Sequence, residues 1–132
     1  MAAGRVDYVL YGWWALAVFY AGFIFALSSV SPGAGGGGLP VSDKILHVIL
    51  YLFFGALLYI ALGKSFGRTI ASKVFFVAFS IAAIYGLTDE FHQSFVANRD
   101  ASLFDWLADV LGSFLGALAA SLVKRKTEAK NG

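Results

Sequence analysis

Both histidines of this chain, and six of its eight acidic residues, fall in three short windows. The first holds Asp43, Lys44, His47 and Tyr51. The second holds Asp89, Glu90, His92 and Gln93, with Arg99 and Asp100 close behind, and the third holds Asp105 and Asp109. Imidazole exchanges protons near neutral pH, and a neighbouring carboxylate orients and tunes it. His47 and His92 are therefore candidates for nucleophile or acid/base, each tuned by a carboxylate such as Glu90 or Asp105. Arg99 and Lys44 can hold phosphate oxygens, the arginine in bidentate fashion. Asp43, Tyr51, Asp89, Gln93 and Asp109 complete a candidate substrate-binding set. Asp and His side chains could alternatively bind a hard divalent cation, but these spacings form no recognised metal motif, and no cofactor is expected.

The elements that must position these groups are helices. At 100° per residue, Asp43, Lys44, His47 and Tyr51 fall within an arc of about 100°, so one helical face carries all four. Asp89, Glu90, His92 and Gln93 share roughly half of a second circumference while Phe91 points the other way. Asp105 and Asp109 are spaced i, i+4 and continue into Gly112 and Gly116, a stripe that is acidic above and GxxxG below.

Hydropathy defines the helices themselves. Of the 132 residues, 59% are hydrophobic and only 14% charged, with a mean hydropathy of +0.76. A soluble domain of this length cannot hide so much apolar surface in one small core. A spanning helix needs roughly 20 mostly apolar residues. Four stretches qualify, at about 8–29, 43–62, 70–89 and 104–123, and they predict an all-α, four-helix integral membrane bundle forming a single domain over 1–132. The first stretch is too long, and too poor in a small-residue cleavage pattern, for a signal peptide, so it is expected to remain. Ser31 to Pro40 is glycine-rich and reads as a flexible loop; it lacks the Lys-Ser/Thr of a phosphate cradle. Cysteine is absent, which excludes disulfides and thiolate metal sites.

Charge sets the orientation. With both termini in the cytoplasm, eight of the ten basic residues lie inside and only Lys44 and Arg99 lie outside. The basic residues sit at the ends of apolar segments and form no patch interleaved with aromatic stackers, which argues against nucleic acid as a partner. All three polar windows then fall in the outer half of the membrane. An ionisable group within a span costs roughly 2.5 to 3.5 kcal/mol on insertion scales and is normally paired or lines an aqueous cavity. Three helices carrying that cost at one depth predict a shared pocket. The plainer alternatives are that Asp43, Asp89 and Asp100 lie in water beyond the helix ends, and that Arg99 and Lys44 neutralise the carboxylates and lock the bundle. The glycine stripe on the fourth helix, and a similar stripe of Ala15, Gly22, Ala26 and Ser29 on the first, read as close-packing surfaces.

The series Asp43-Lys-Ile-Leu-His47-Val-Ile-Leu-Tyr51, Tyr85-Gly-Leu-Thr-Asp-Glu-Phe-His-Gln-Ser-Phe-Val96, Arg99 and Ser102-Leu-Phe-Asp105-Trp-Leu-Ala-Asp109-Val-Leu-Gly112 resembles the VanZ-like family of small membrane proteins. One departure is Ala97-Asn98 before Arg99, where the family looks more like Pro-Gly. The resemblance implies a multi-pass protein of the bacterial cytoplasmic membrane with both termini cytoplasmic. Its namesake is associated with low-level teicoplanin resistance, and such domains have been grouped with lipid head-group modifying enzymes. Three functions stay open. The first is hydrolysis or transfer of a phosphate-linked lipid head group. The second is non-catalytic binding or shielding of a lipid-linked cell-wall precursor or lipoglycopeptide antibiotic. The third, proton-coupled transport, is the least suited, because no inverted repeat is evident. In the first two, the partner is a membrane lipid or lipid-linked substrate.

Overall fold

The computed structural model describes residues 7–31, 43–66 and 71–131. It contains four helices, α1 (Tyr8–Ser28), α2 (Asp43–Ser65), α3 (Ala71–Gln93) and α4 (Leu103–Asn131). Each is long and apolar enough to cross a membrane, and no strand occurs among the described residues. The glycine-rich segment after Ser31 lies outside the described residues, as do Arg5 and Arg68. Large side chains such as Phe19, Phe76, Phe91 and Phe104 are exposed around the bundle. Lipid, not water, is the solvent in which that exposure is favourable.

Three helices outrun the spans that hydropathy suggests, and the first of them, α2, continues past Leu62 to Ser65. Helix α3 continues past Asp89 to Gln93, so the whole second polar window is helical. Helix α4 continues past Val123 to Asn131 because a helix does not need hydrocarbon to persist. Its charged last turns carry an i, i+4 contact between Lys124 and Glu128 at 4.0 Å.

Helix α2 is the hub. It packs most extensively on α4, also contacts α3 and α1, and no contact joins α1 to α4 among the described residues. Glycine sets the α2–α4 approach. A Cβ on Gly112 would fall onto the carbonyl of Val48 and lie 3.0 Å from the Leu52 nitrogen. On Gly116 it would fall onto the carbonyl of Leu52, and on Gly55 onto the carbonyl of Ser113. The backbones are therefore in direct contact, which only residues lacking a side chain permit. That contact fixes the depth of Asp109, less than one turn above Gly112, against α2.

Helix α1 starts on Asp7, whose side chain accepts from the Val9 and Leu10 amides at 3.1 Å each. Its buried face is Ala17, Ile24 and Ser28. The stripe of Ala15, Gly22, Ala26 and Ser29 does not pack as expected: these residues are exposed, and a Cβ on Gly22 would meet nothing within 4 Å. The reason is angular, since Ala15 and Ala26 lie about 160 to 180° round the helix from Ala17. Larger groups make the seam. The Tyr20 hydroxyl donates to the Leu50 carbonyl at 3.1 Å, and the Tyr85 hydroxyl donates to the Ala21 carbonyl at 2.7 Å. Tyr20, Phe54, Tyr85 and Tyr51 then form a ladder of aromatic contacts beneath the polar windows.

Candidate functional site

The shared face of α2 turns His47 and Tyr51 inward and leaves Lys44 half exposed at the rim. His47 Nδ1 lies 2.8 Å from Asp109 Oδ1 on α4 and 3.9 Å from Glu90 Oε1 on α3. The other oxygen of Glu90, Oε2, accepts the Ser102 backbone N–H at 2.7 Å, so the start of α4 holds Glu90 in place. Ser102 also caps that helix, its hydroxyl accepting from the Asp105 amide at 3.3 Å. One turn before Glu90, Gly86 leaves room for Asp109: a Cβ there would come within 2.9 Å of both Cβ and Oδ2 of that aspartate. With Nδ1 donating to Asp109, the neutral ring presents Nε2 as its acceptor.

Above this centre, Lys44 Nζ donates to Asp105 Oδ1 at 3.1 Å. Asp43 stands exposed at the rim, with ligand atoms of Asp43, His47 and Asp105 within 4.8 Å of one another. Beside the centre runs a second chain of bonds. Gln93 Nε2 donates to Asp89 Oδ2 at 3.1 Å, Arg99 Nη1 donates to Gln93 Oε1 at 3.0 Å, and Arg99 Nε donates to the Val30 carbonyl at 3.0 Å. Arg99 thereby ties the loop before α4 to the end of α1. Asn98 has a positive φ of 60°, a left-handed conformation that asparagine tolerates better than most residues and glycine best. The departure from Pro-Gly at Ala97-Asn98 therefore keeps the turn.

The burial is deep. Asp89 and Glu90 are each 4% exposed and Asp109 is 0% exposed. Among the described residues, Asp89 Oδ1, Glu90 Oε1, Asp109 Oδ2 and the Tyr51 hydroxyl find no hydrogen-bond partner. These three carboxylates have one imidazole between them, because Lys44 serves Asp105 and Arg99 serves Gln93. Inside a membrane such an imbalance is costly unless something else enters the site. Two groups of side chains could hold a divalent cation, Asp43/His47/Asp105 and His47/Glu90/Asp109.

An open groove of about 510 Å³ runs between α3 and α4, lined by Leu87, Thr88, Glu90, Phe91, Ser102 and Trp106. Trp106 is pinned there by Nε1 donating to the Ala83 carbonyl at 3.0 Å.

The structure thus brings Lys44, His47, Glu90, Asp105 and Asp109 together, with Asp43 at the rim and Tyr51 one turn below. Asp89, Gln93 and Arg99 form the adjoining chain. His92 stands apart: its Nε2 meets Ser29 Oγ at 3.0 Å and its ring lies 4.3 Å from that of Phe25, both on the α1 side. Residues 90 and 92 are about 200° apart on a helix, so they cannot both face α4. Three contributors were not anticipated: the Ser102 amide, Gly86 and the groove around Trp106. Only the first left a legible signal, the Ser-x-x-Asp pattern of a helix start at Ser102.

Fold and site together define a small multi-pass membrane protein with a buried acid–imidazole centre near one end of its bundle. The family description VanZ/LLP1 matches residues 8–124, and the chain belongs to that family. No curated protein and no solved structure matches it.

Proposed function

We propose that this centre lies in the outer-leaflet half of a bacterial cytoplasmic membrane, with both termini cytoplasmic, and hydrolyses or transfers a phosphate-linked lipid head group. One observation carries the reading: Glu90 is among the residues lining the groove, and its carboxylate is a neighbour of His47. An acyl or prenyl chain in the groove would bring its head group to the Ser102 end, beside the buried imidazole. His47 Nε2 would take the proton of the attacking water or acceptor hydroxyl as its oxygen bonds to phosphorus. The bond from phosphorus to the leaving oxygen breaks, and the imidazolium returns the proton to that oxygen. Asp109 would hold the ring and stabilise its charged form, while Lys44, half exposed at the rim, is the cation nearest an arriving phosphate.

The test is head-group release from phospholipids and polyprenyl phosphates by the protein in lipid nanodiscs. Turnover that falls when Trp106→Ala opens the groove supports the reading. A protein that binds these lipids without releasing any head group supports the second reading, non-catalytic shielding of a lipid-linked cell-wall precursor or lipoglycopeptide antibiotic. The placement of His92 favours that second reading, because it leaves the centre with one histidine and no second acid/base of that type.

A further inference from the structure

We propose that His47, Glu90 and Asp109 form a site for one divalent transition-metal ion of the Mn²⁺ or Zn²⁺ kind. Three helices each contribute one ligand residue, and a ligand atom from each lies within 4.8 Å of the others. The nitrogen-to-oxygen separations of 2.8 and 3.9 Å bracket the roughly 3.3 Å expected between neighbouring ligands about 2.0 to 2.2 Å from one ion.

The second observation is independent of the cluster's composition. Glu90 Oε1 and Asp109 Oδ2 belong to side chains more than nine-tenths buried and have no partner among the described residues. The Glu90 oxygen is the one that faces His47 Nδ1, at 3.9 Å, so it is aimed into the cluster. Protons alone would remove the charge but leave each new O–H in want of an acceptor. A dication instead balances two carboxylates and uses their lone pairs. One imidazole with two carboxylates suits manganese or zinc; calcium prefers oxygen alone, and soft copper(I) sites need sulfur, which cysteine does not supply here. Three protein ligands leave positions for water or a phosphate oxygen. The inference concerns binding and stands whether or not the head-group chemistry does.

Coordination through Nδ1 puts the single proton of the neutral imidazole on Nε2, so an ion bound there replaces the base role of that nitrogen. The experiment titrates chelator-stripped, detergent-purified full-length protein with MnCl₂ and, separately, ZnCl₂ by calorimetry, with Tm followed in parallel. One ion per chain should bind saturably and raise Tm. Glu90→Gln and Asp109→Asn should each weaken binding at least tenfold, and Asp100→Asn, in the exposed loop, should leave it unchanged. Should Asp109→Asn fail to fold, Glu90→Gln decides alone, since Ser102 can still donate to the amide oxygen. Absence of saturable binding of either ion by the wild type, or binding indifferent to Glu90→Gln, overturns the proposal. Tight binding by a protein with no turnover keeps this site and removes the enzymatic reading. Full turnover after stripping, with no ion bound on titration, does the reverse.

Discussion

Asparagine at position 47 separates the chemistry of the centre from its packing. Nδ1 of histidine is bonded to Cγ, as is the amide nitrogen of asparagine, so His47→Asn keeps a donor where Asp109 Oδ1 accepts at 2.8 Å. Leucine keeps the volume and removes the donor. Asp109 is 0% exposed, and stranding one member of a buried charged pair costs about 3 to 5 kcal/mol. Asparagine keeps the bond and loses only ring packing, on the order of 1 to 2 kcal/mol. The two variants should therefore differ by about 2 kcal/mol or more, with His47→Leu the less stable. Removing both groups in His47→Leu/Asp109→Leu should recover part of the loss, because Asp109 is then no longer left unpaired while Glu90 still is. Thermal unfolding in detergent measures stability, and head-group release in nanodiscs measures function. His47→Asn should be well folded and inactive, whereas the double variant should be folded and inactive with a stability no longer tied to pH through this pair. Equal destabilisation by Asn and Leu, or a double variant as unstable as His47→Leu alone, would refute the reasoning.

Gly116→Ala should lower Tm markedly, because its Cβ meets the Leu52 backbone, while Gly22→Ala, with open space around it, should leave Tm within error; paired melting curves check both. Asn98→Gly should be neutral or slightly stabilising and Asn98→Val destabilising, by about 1 kcal/mol or more, since φ is positive at 60° there. In intact cells, a cysteine at Asp100 should react with a membrane-impermeant maleimide and one at Lys64 should not; the opposite pattern would put the centre in the inner leaflet.

The four helices were legible because hydropathy needs no tertiary knowledge, and the pairing of His47 with Asp109 was half legible because both sit on single polar faces. Rotation of each helix about its axis was not. On α3, Glu90 and His92 share a half circumference by angle, yet only packing decides that α4 receives the first and α1 the second. Small residues on α1 carry the same signature as Gly112 and Gly116 on α4, and only the larger Tyr20 and Ile24, filling the seam instead, distinguish the two helices. The Ser-x-x-Asp pattern marks a helix start at Ser102, but a backbone donor has no residue type to tell that its amide would reach Glu90. Asn98 shows the reverse: a departure from the family's pattern that the backbone at that position accommodates.

The most direct test compares His47→Asn with His92→Asn for head-group release from polyprenyl phosphate and phospholipid in nanodiscs, at matched amounts of folded protein. His47 faces Asp109 and Glu90, and His92 faces Ser29 and Phe25. Loss of release in the His47 variant, at least a hundredfold, with release retained in the His92 variant, is the predicted result. Equal losses in both, or release that survives in His47→Asn, would contradict it.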